Sequence, residues 1–198
     1  FQFLHPAKIT AANNSYGYSL SGVKIMIDPG HGGADPGALG PIPSYSEAKL
    51  NMGLALKLKE ELESIGAQVK LTFTSGSFSL DQRVRAAKSF QPDVFVSIHR
   101  NSSTSDSAKG YENYYFYSFS QPLAKAVYNR TAQNFSNKRG SKFYPFYVTR
   151  FTDCPSILTE NGFVSNKDEF SSLIKDEYDR KLAKSTAAGI VDYFKGIQ

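Results

Sequence analysis

The chain has 198 residues, 40% of them hydrophobic and 21% charged, ordinary globular usage for one compact core. No apolar run approaches the roughly 20 residues needed to cross a bilayer, so no transmembrane segment is expected. Lys and Arg number 23 against 18 Asp and Glu, a net charge of +5. That excess suits a polyanion. The basic residues are scattered, only Lys138, Arg139 and Lys142 are loosely grouped, and no nucleic-acid module is recognisable, so nucleic acid is not an expected partner.

Cys154 is the single cysteine. It excludes an intrachain disulfide framework and a cysteine-based zinc site, so any metal must be held by histidines and carboxylates. With no histidine near it in the sequence, Cys154 reads as a buried or bystander thiol.

Residues 1–22 are rich in Asn, Ser, Ala and Tyr without sustained periodicity and read as an N-terminal arm or linker. They lack the basic start and apolar stretch of a signal peptide. The domain proper is expected over 23–198. Its first apolar run, Val23 to Ile27, predicts a strand ended by Asp28-Pro29-Gly30-His31-Gly32-Gly33, which places His31 on a strand-end loop. Leu50, Leu54, Leu58, Leu62 and Ile65 then mark one face of a helix closing at Gly66, with Glu47 on the same inward face.

A second strand fits 68–73, and a helix fits Leu80 to about Ser89, opened by Ser79 and closed before Pro92. Val94 to Ile98 is nearly continuous in apolar character, as expected of a strand covered on both faces, and delivers His99 at its end. An aromatic strand is expected over 110–117, a helix over 122–135, and an irregular hairpin or loop over 140–152. Ser156 to Thr159 reads as a short strand that presents Glu160 and breaks at Asn161-Gly162. A last helix carries Leu182, Ala183, Thr186, Ala187, Ile190 and Phe194. Alternating strands and helices predict a single α/β domain with a mainly parallel, mixed central sheet flanked by helices on both faces.

His31, His99 and Glu160 all fall at C-terminal strand ends, which share one edge in a parallel sheet and form the usual ligand edge. Glu47 enters from the first helical turn. Two imidazoles and one carboxylate suit a catalytic Zn2+ with an open position for water, and Glu160 suits the general acid/base of an amide hydrolysis. Each residue has a plainer reading as well. His31 is a loop histidine among glycines, and His99 fits a satisfied core histidine. Ser44-x-x-Glu47 matches a capping box, and Glu160 can pair with a nearby base. The conjunction favours the site, because His5 of the arm is the only other histidine. Asp28 and Asp35 can orient a ligand histidine, although a turn role is simpler for both. Asn101 can hydrogen-bond a substrate.

Ile27 to Gly33, Glu47, Ser97 to Asn101, and Ile157 to Asn166 together resemble the zinc-dependent N-acetylmuramoyl-L-alanine amidases of the type-3 catalytic domain, in order from about residue 23 to the C-terminus. The resemblance implies His31, Glu47 and His99 as ligands of one Zn2+ per chain and Glu160 as the catalytic glutamate. It implies peptidoglycan as substrate, cut between N-acetylmuramic acid and L-alanine. It further implies a location outside the membrane (extracellular, periplasmic or wall-associated), a monomer, and compatibility with wall-binding domains outside this chain. A zinc peptidase or deacetylase acting on wall material, and a non-catalytic wall-binding module, are the rival readings. Departures from the family pattern are Phe73 and Lys88, where Arg and Asn are common, and Arg100, where a small residue is common, which leaves the substrate contacts near it open. Without a long insertion between Tyr117 and Pro155, the site is expected to stay open.

Overall fold

The computed structural model describes residues 9–196. Of the expected arm, residues 1–8 and with them His5 lie outside the described residues. Two short strands, β1 (Thr10–Ala11) and β2 (Tyr18–Ser19), pair antiparallel, and the flanking Ile9 and Leu20 are buried in the main core.

Strands β3 (Lys24–Pro29), β4 (Gln68–Leu71), β5 (Val94–Asn101), β6 (Tyr111–Tyr115), β7 (Lys138–Phe143) and β8 (Ser156–Phe163) form one sheet in the order β4-β3-β5-β8-β6-β7. Every pairing is parallel except that of β6 with β8. The side-chain period of two sorts the strands into two faces. Ile25, Ile27, Val94, Val96, Ile98 and Ile157 pack against the apolar sides of α1 (Glu47–Ser64), α3 (Gln121–Thr131) and α6 (Asp176–Gly196). On the other face Met26, Phe95 and Leu158 meet Ala87 and Phe90 of α2 (Leu80–Phe90) and Val148 of α4 (Tyr147–Phe151). Ser97, His99, Glu160 and Glu112 continue that second parity toward the top edge of the sheet, past these apolar contacts.

The α/β architecture, the helix periodicity and the strands leading to His31, His99 and Glu160 are as expected. Three local expectations are corrected. Residues 140–152 are not a hairpin or loop. They contain most of the parallel edge strand β7 and all of α4. The sequence KRGSKF is polar, as an edge strand must be to avoid pairing with other chains, so it lacks the apolar alternation that marks an inner strand. Nor does the chain break at Asn161-Gly162. Between the pairs His99–Glu160 and Asn101–Phe163, β8 carries one more residue than β5, a bulge that Gly162 accommodates at φ +88°. Finally, the expected 122–135 helix ends its α-helical part at Thr131 and finishes in a 3-10 turn, Ala132–Asn134. Helix α5 (Lys167–Leu173), capped by the Asn166 side chain, was not foreseen.

Candidate metal centre

The loop after β3 is held in place from behind. Arg83 of α2 donates to Asp28 Oδ1 at 2.8 Å, to the Pro29 carbonyl, and to the His31 carbonyl at 2.6 Å. Its guanidinium stacks on Phe73, 4.6 Å from the ring centroid. Asp28 also accepts from Thr72 at 2.7 Å and Ser97 at 2.8 Å. It therefore anchors the loop and contacts neither histidine ring. Arg83 went unrecognised in the sequence, although its spacing with Ala87 and Phe90 set a charge on the buried stripe of the helix.

Held this way, His31 adopts a left-handed backbone, φ 64°, and its ring turns toward the sheet edge. Its Nδ1 lies 2.8 Å from Asp35 Oδ2, while Asp35 Oδ1 accepts from the Gly37 backbone at 3.0 Å. Asp35 is thus both the turn residue and the partner that orients His31. His99 needs the absence of a side chain beside it. A Cβ at Gly30 would lie 2.3 Å from the His99 ring.

Glu47 opens α1, but the cap is Ser46, whose side chain accepts from the Lys49 backbone. The capping box built on Ser44 is not formed, because the helix starts later than that motif requires. The Glu47 carboxylate is free to face the histidines. Its Oε2 is 3.2 Å from His31 Nε2 and accepts from the Ala38 backbone at 3.0 Å. Its Oε1 is 3.0 Å from His99 Nδ1 and accepts from Asn51 Nδ2 at 3.3 Å and the Arg100 backbone at 3.2 Å. The Arg100 side chain points to the opposite face, buried and ion-paired with Asp179 of α6.

The electrostatics follow from this contact set. Burial works to raise the Glu47 pKa, but hydrogen bonds from His31 and His99 outweigh it and hold the carboxyl well below the usual carboxylate range. His31 is pushed up to about 9, mainly by its hydrogen bond to Glu47, against burial, with Asp35 adding to the rise. Glu160 is the register partner of His99 on one side and of Glu112 on the other. Its Oε2 is buried with no hydrogen-bond partner among the described residues. Burial, then the charges of Glu47 and Glu112, drive its carboxyl well above the usual range.

Ligand atoms of His31, Glu47 and His99 lie within 4.8 Å of one another. Donors about 2.0–2.2 Å from a tetrahedral dication sit roughly 3.3 Å apart, close to the 3.2 and 3.0 Å separations here. Neutral imidazoles and a carboxylate that stays ionised are a donor set for a divalent metal, so the three residues fit one. Asn101, the candidate for substrate, instead donates to Glu112 at 2.8 Å. Cys154 is buried, and burial pushes its thiol up to about 12, so it is no nucleophile.

Comparison with known proteins shows the family. A family model described as N-acetylmuramoyl-L-alanine amidase matches residues 25–192. The N-acetylmuramoyl-L-alanine amidase LytC of Bacillus subtilis is 35% identical over 96% of this chain, which spans only 39% of that protein. The sporulation-specific N-acetylmuramoyl-L-alanine amidase of the same organism is 34% identical over 87% of this chain and 68% of its own length. Among solved structures, the catalytic domain of the amidase CwlV from Bacillus (Paenibacillus) polymyxa superposes with a TM-score of 0.84 at 34% identity, covering 87% of this chain and 98% of that one. With a family match over most of its length and a site at the matched residues, the chain belongs to the N-acetylmuramoyl-L-alanine amidase family of the type-3 catalytic domain.

Proposed function

We propose that this chain is a zinc-dependent peptidoglycan hydrolase that cuts the amide between the lactyl group of N-acetylmuramic acid and the L-alanine of the stem peptide. The observation that carries the reading is the pairing of a three-donor group, His31, Glu47 and His99, with the carboxyl of Glu160, whose Oε2 is buried, on the strand beside His99.

His31, Glu47 and His99 would hold the zinc, which when bound supplies a Lewis acid that polarises a carbonyl and acidifies water. The protein's own part is proton transfer and orientation. Glu160 takes the proton of the attacking water and passes it to the departing nitrogen, because an amine leaves poorly as an anion. A carboxyl raised by burial and by two like charges is suited to giving a proton back near neutral pH. Asp35 fixes the His31 ring so that Nε2 faces Glu47, and Arg83 fixes the backbone that carries it. The net charge of +5 favours an anionic wall, and action on peptidoglycan belongs outside the membrane; among the described residues no helix is long and apolar enough to cross one.

The test is digestion of purified peptidoglycan with and without added zinc, followed by mass analysis. New N-terminal alanine on released peptides and intact glycan strands are expected. Free acetate, cleaved cross-links, or wall binding without any released peptide would each reject the reading in favour of a deacetylase, a peptidase or a binding module.

A further inference from the structure

Beyond Glu160, the same face of the sheet carries a group that the hydrolysis itself does not use. Glu112 of β6 lies opposite Glu160 and is buried. It accepts from Asn101, from Lys142 Nζ in a short contact, and has Arg139 Nε 3.2 Å from the same Oε2. Both cations come from β7, the edge strand. One carboxylate therefore faces two cations, with the carboxyls of Glu160 opposite Glu112 and of Glu169 beside Arg139 completing the charged cluster. The cations are the accessible members, with side chains 31% and 40% exposed for Arg139 and Lys142 against 2% for Glu112. Arg139 Nε is buried against Glu112 as an ion pair, without hydrogen-bond geometry to any of the described residues, and its guanidinium lies over the Phe163 ring at 4.9 Å. A guanidinium stacked in this way is a planar fork already oriented for a carboxylate.

The direction of the leaving group points to this place. On the amidase reading, Glu160 protonates the departing nitrogen, so that nitrogen lies at β8 while the acyl half lies toward His31. The strand order then runs from Glu160 across Glu112 to β7. Gly140, the register partner of Glu112, leaves the floor between them low. Strands are about 4.8 Å apart, which places β7 roughly 10 Å from β8. Two extended residues span about 7 Å, and the Arg and Lys side chains bridge the remainder.

We propose that Arg139 and Lys142 form a carboxylate subsite for the leaving peptide, so that the chain favours stem peptides with a free α-carboxylate on the residue after L-alanine. This rests on the amidase reading. A purely structural role for Arg139, neutralising Glu112, predicts no such preference.

The experiment compares uncross-linked glycan strands bearing L-alanyl-γ-D-glutamyl-L-lysine stems with strands whose glutamate α-carboxylate is amidated. Wild-type protein should cut the free form with a KM about tenfold lower. Arg139→Gln, which leaves Lys142 on Glu112, should bring the ratio near one, and Arg139→Lys, which keeps the charge but not the fork, should restore only part of it. Equal KM values for wild type, or a preference that survives Arg139→Gln, would overturn the subsite. Calorimetry with the two free tripeptides gives a second readout that does not depend on turnover. If neither strand is cut, the amidase reading fails, and the subsite then stands only if wild type, unlike Arg139→Gln, binds the free-carboxylate tripeptide more tightly. Equal tripeptide binding overturns it.

Discussion

His99 and Glu160 are register partners on adjacent parallel strands, so an imidazole of the three-donor group and the Glu160 carboxyl stand side by side at one edge of the sheet. Nothing but the backbone ladder is needed to fix their separation. Glu160→Gln keeps the shape and removes the proton transfer, so kcat should fall by about 10²–10⁴-fold while zinc content stays near one per chain. Loss of zinc in this variant, measured by atomic absorption, would mean that Glu160 belongs to the metal-holding set instead.

Glu47→Gln discriminates between a ligand and a helix cap. Since Ser46 does the capping, helix stability should barely change, whereas zinc affinity should fall by more than the 10–100-fold typical of residues that only support a ligand. Competition with a chelating dye reads the affinity directly.

Metal uptake should release protons. With His31 pushed up to about 9 in the metal-free protein, its imidazole is protonated at pH 7 and must lose that proton to ligate. The sign follows. In metal-free protein the His31–Glu47 contact stabilises the fold fully below the unfolded value of about 6.5, and that contribution is lost as pH rises through about 9. Calorimetry at pH 7 in buffers of different ionisation enthalpy should give about one proton released per zinc, and apparent affinity should rise toward pH 9. Zero release would contradict the His31 assignment.

Asp35→Asn keeps the turn contact to Gly37 and weakens the grip on His31 Nδ1. Zinc affinity should fall about 10–100-fold with little change in melting temperature.

Arg83 acts on the scaffold. Removing it strands Asp28, which is 1% exposed, and leaves the Pro29 and His31 carbonyls without their donor. Arg83→Ala should destabilise the fold by about 3–5 kcal/mol, the usual consequence of breaking a buried ion pair, as read by urea denaturation.

The inner sheet was legible because β3 and β5 carry nearly continuous apolar runs and β8 a short one, Ile157-Leu158, and the site was legible because each run leads to its candidate ligand or base. The edge strand β7 was not, since its residues answer to solvent and to Glu112 rather than to a core. Arg83 was hidden for a related reason: beyond the nearby Phe78 carbonyl, its partners are the Pro29 and His31 carbonyls and an aspartate 55 positions away, none of which leaves a local signature. Asp35 was visible both as a turn residue and as a candidate to orient a histidine, and the turn was the simpler reading because one side chain serves both at once. The cap at Ser46 and the motif at Ser44 compete over two positions, and only the backbone chooses between them.

Hydrolysis in ¹⁸O-labelled water tests the central claim most directly. Attack of water on the lactyl carbonyl predicts one ¹⁸O atom in the new carboxylate of the glycan and none in the released peptide, with the glycan label lost in Glu160→Gln. Label in the peptide or in free acetate would contradict a muramoyl-L-alanine amidase.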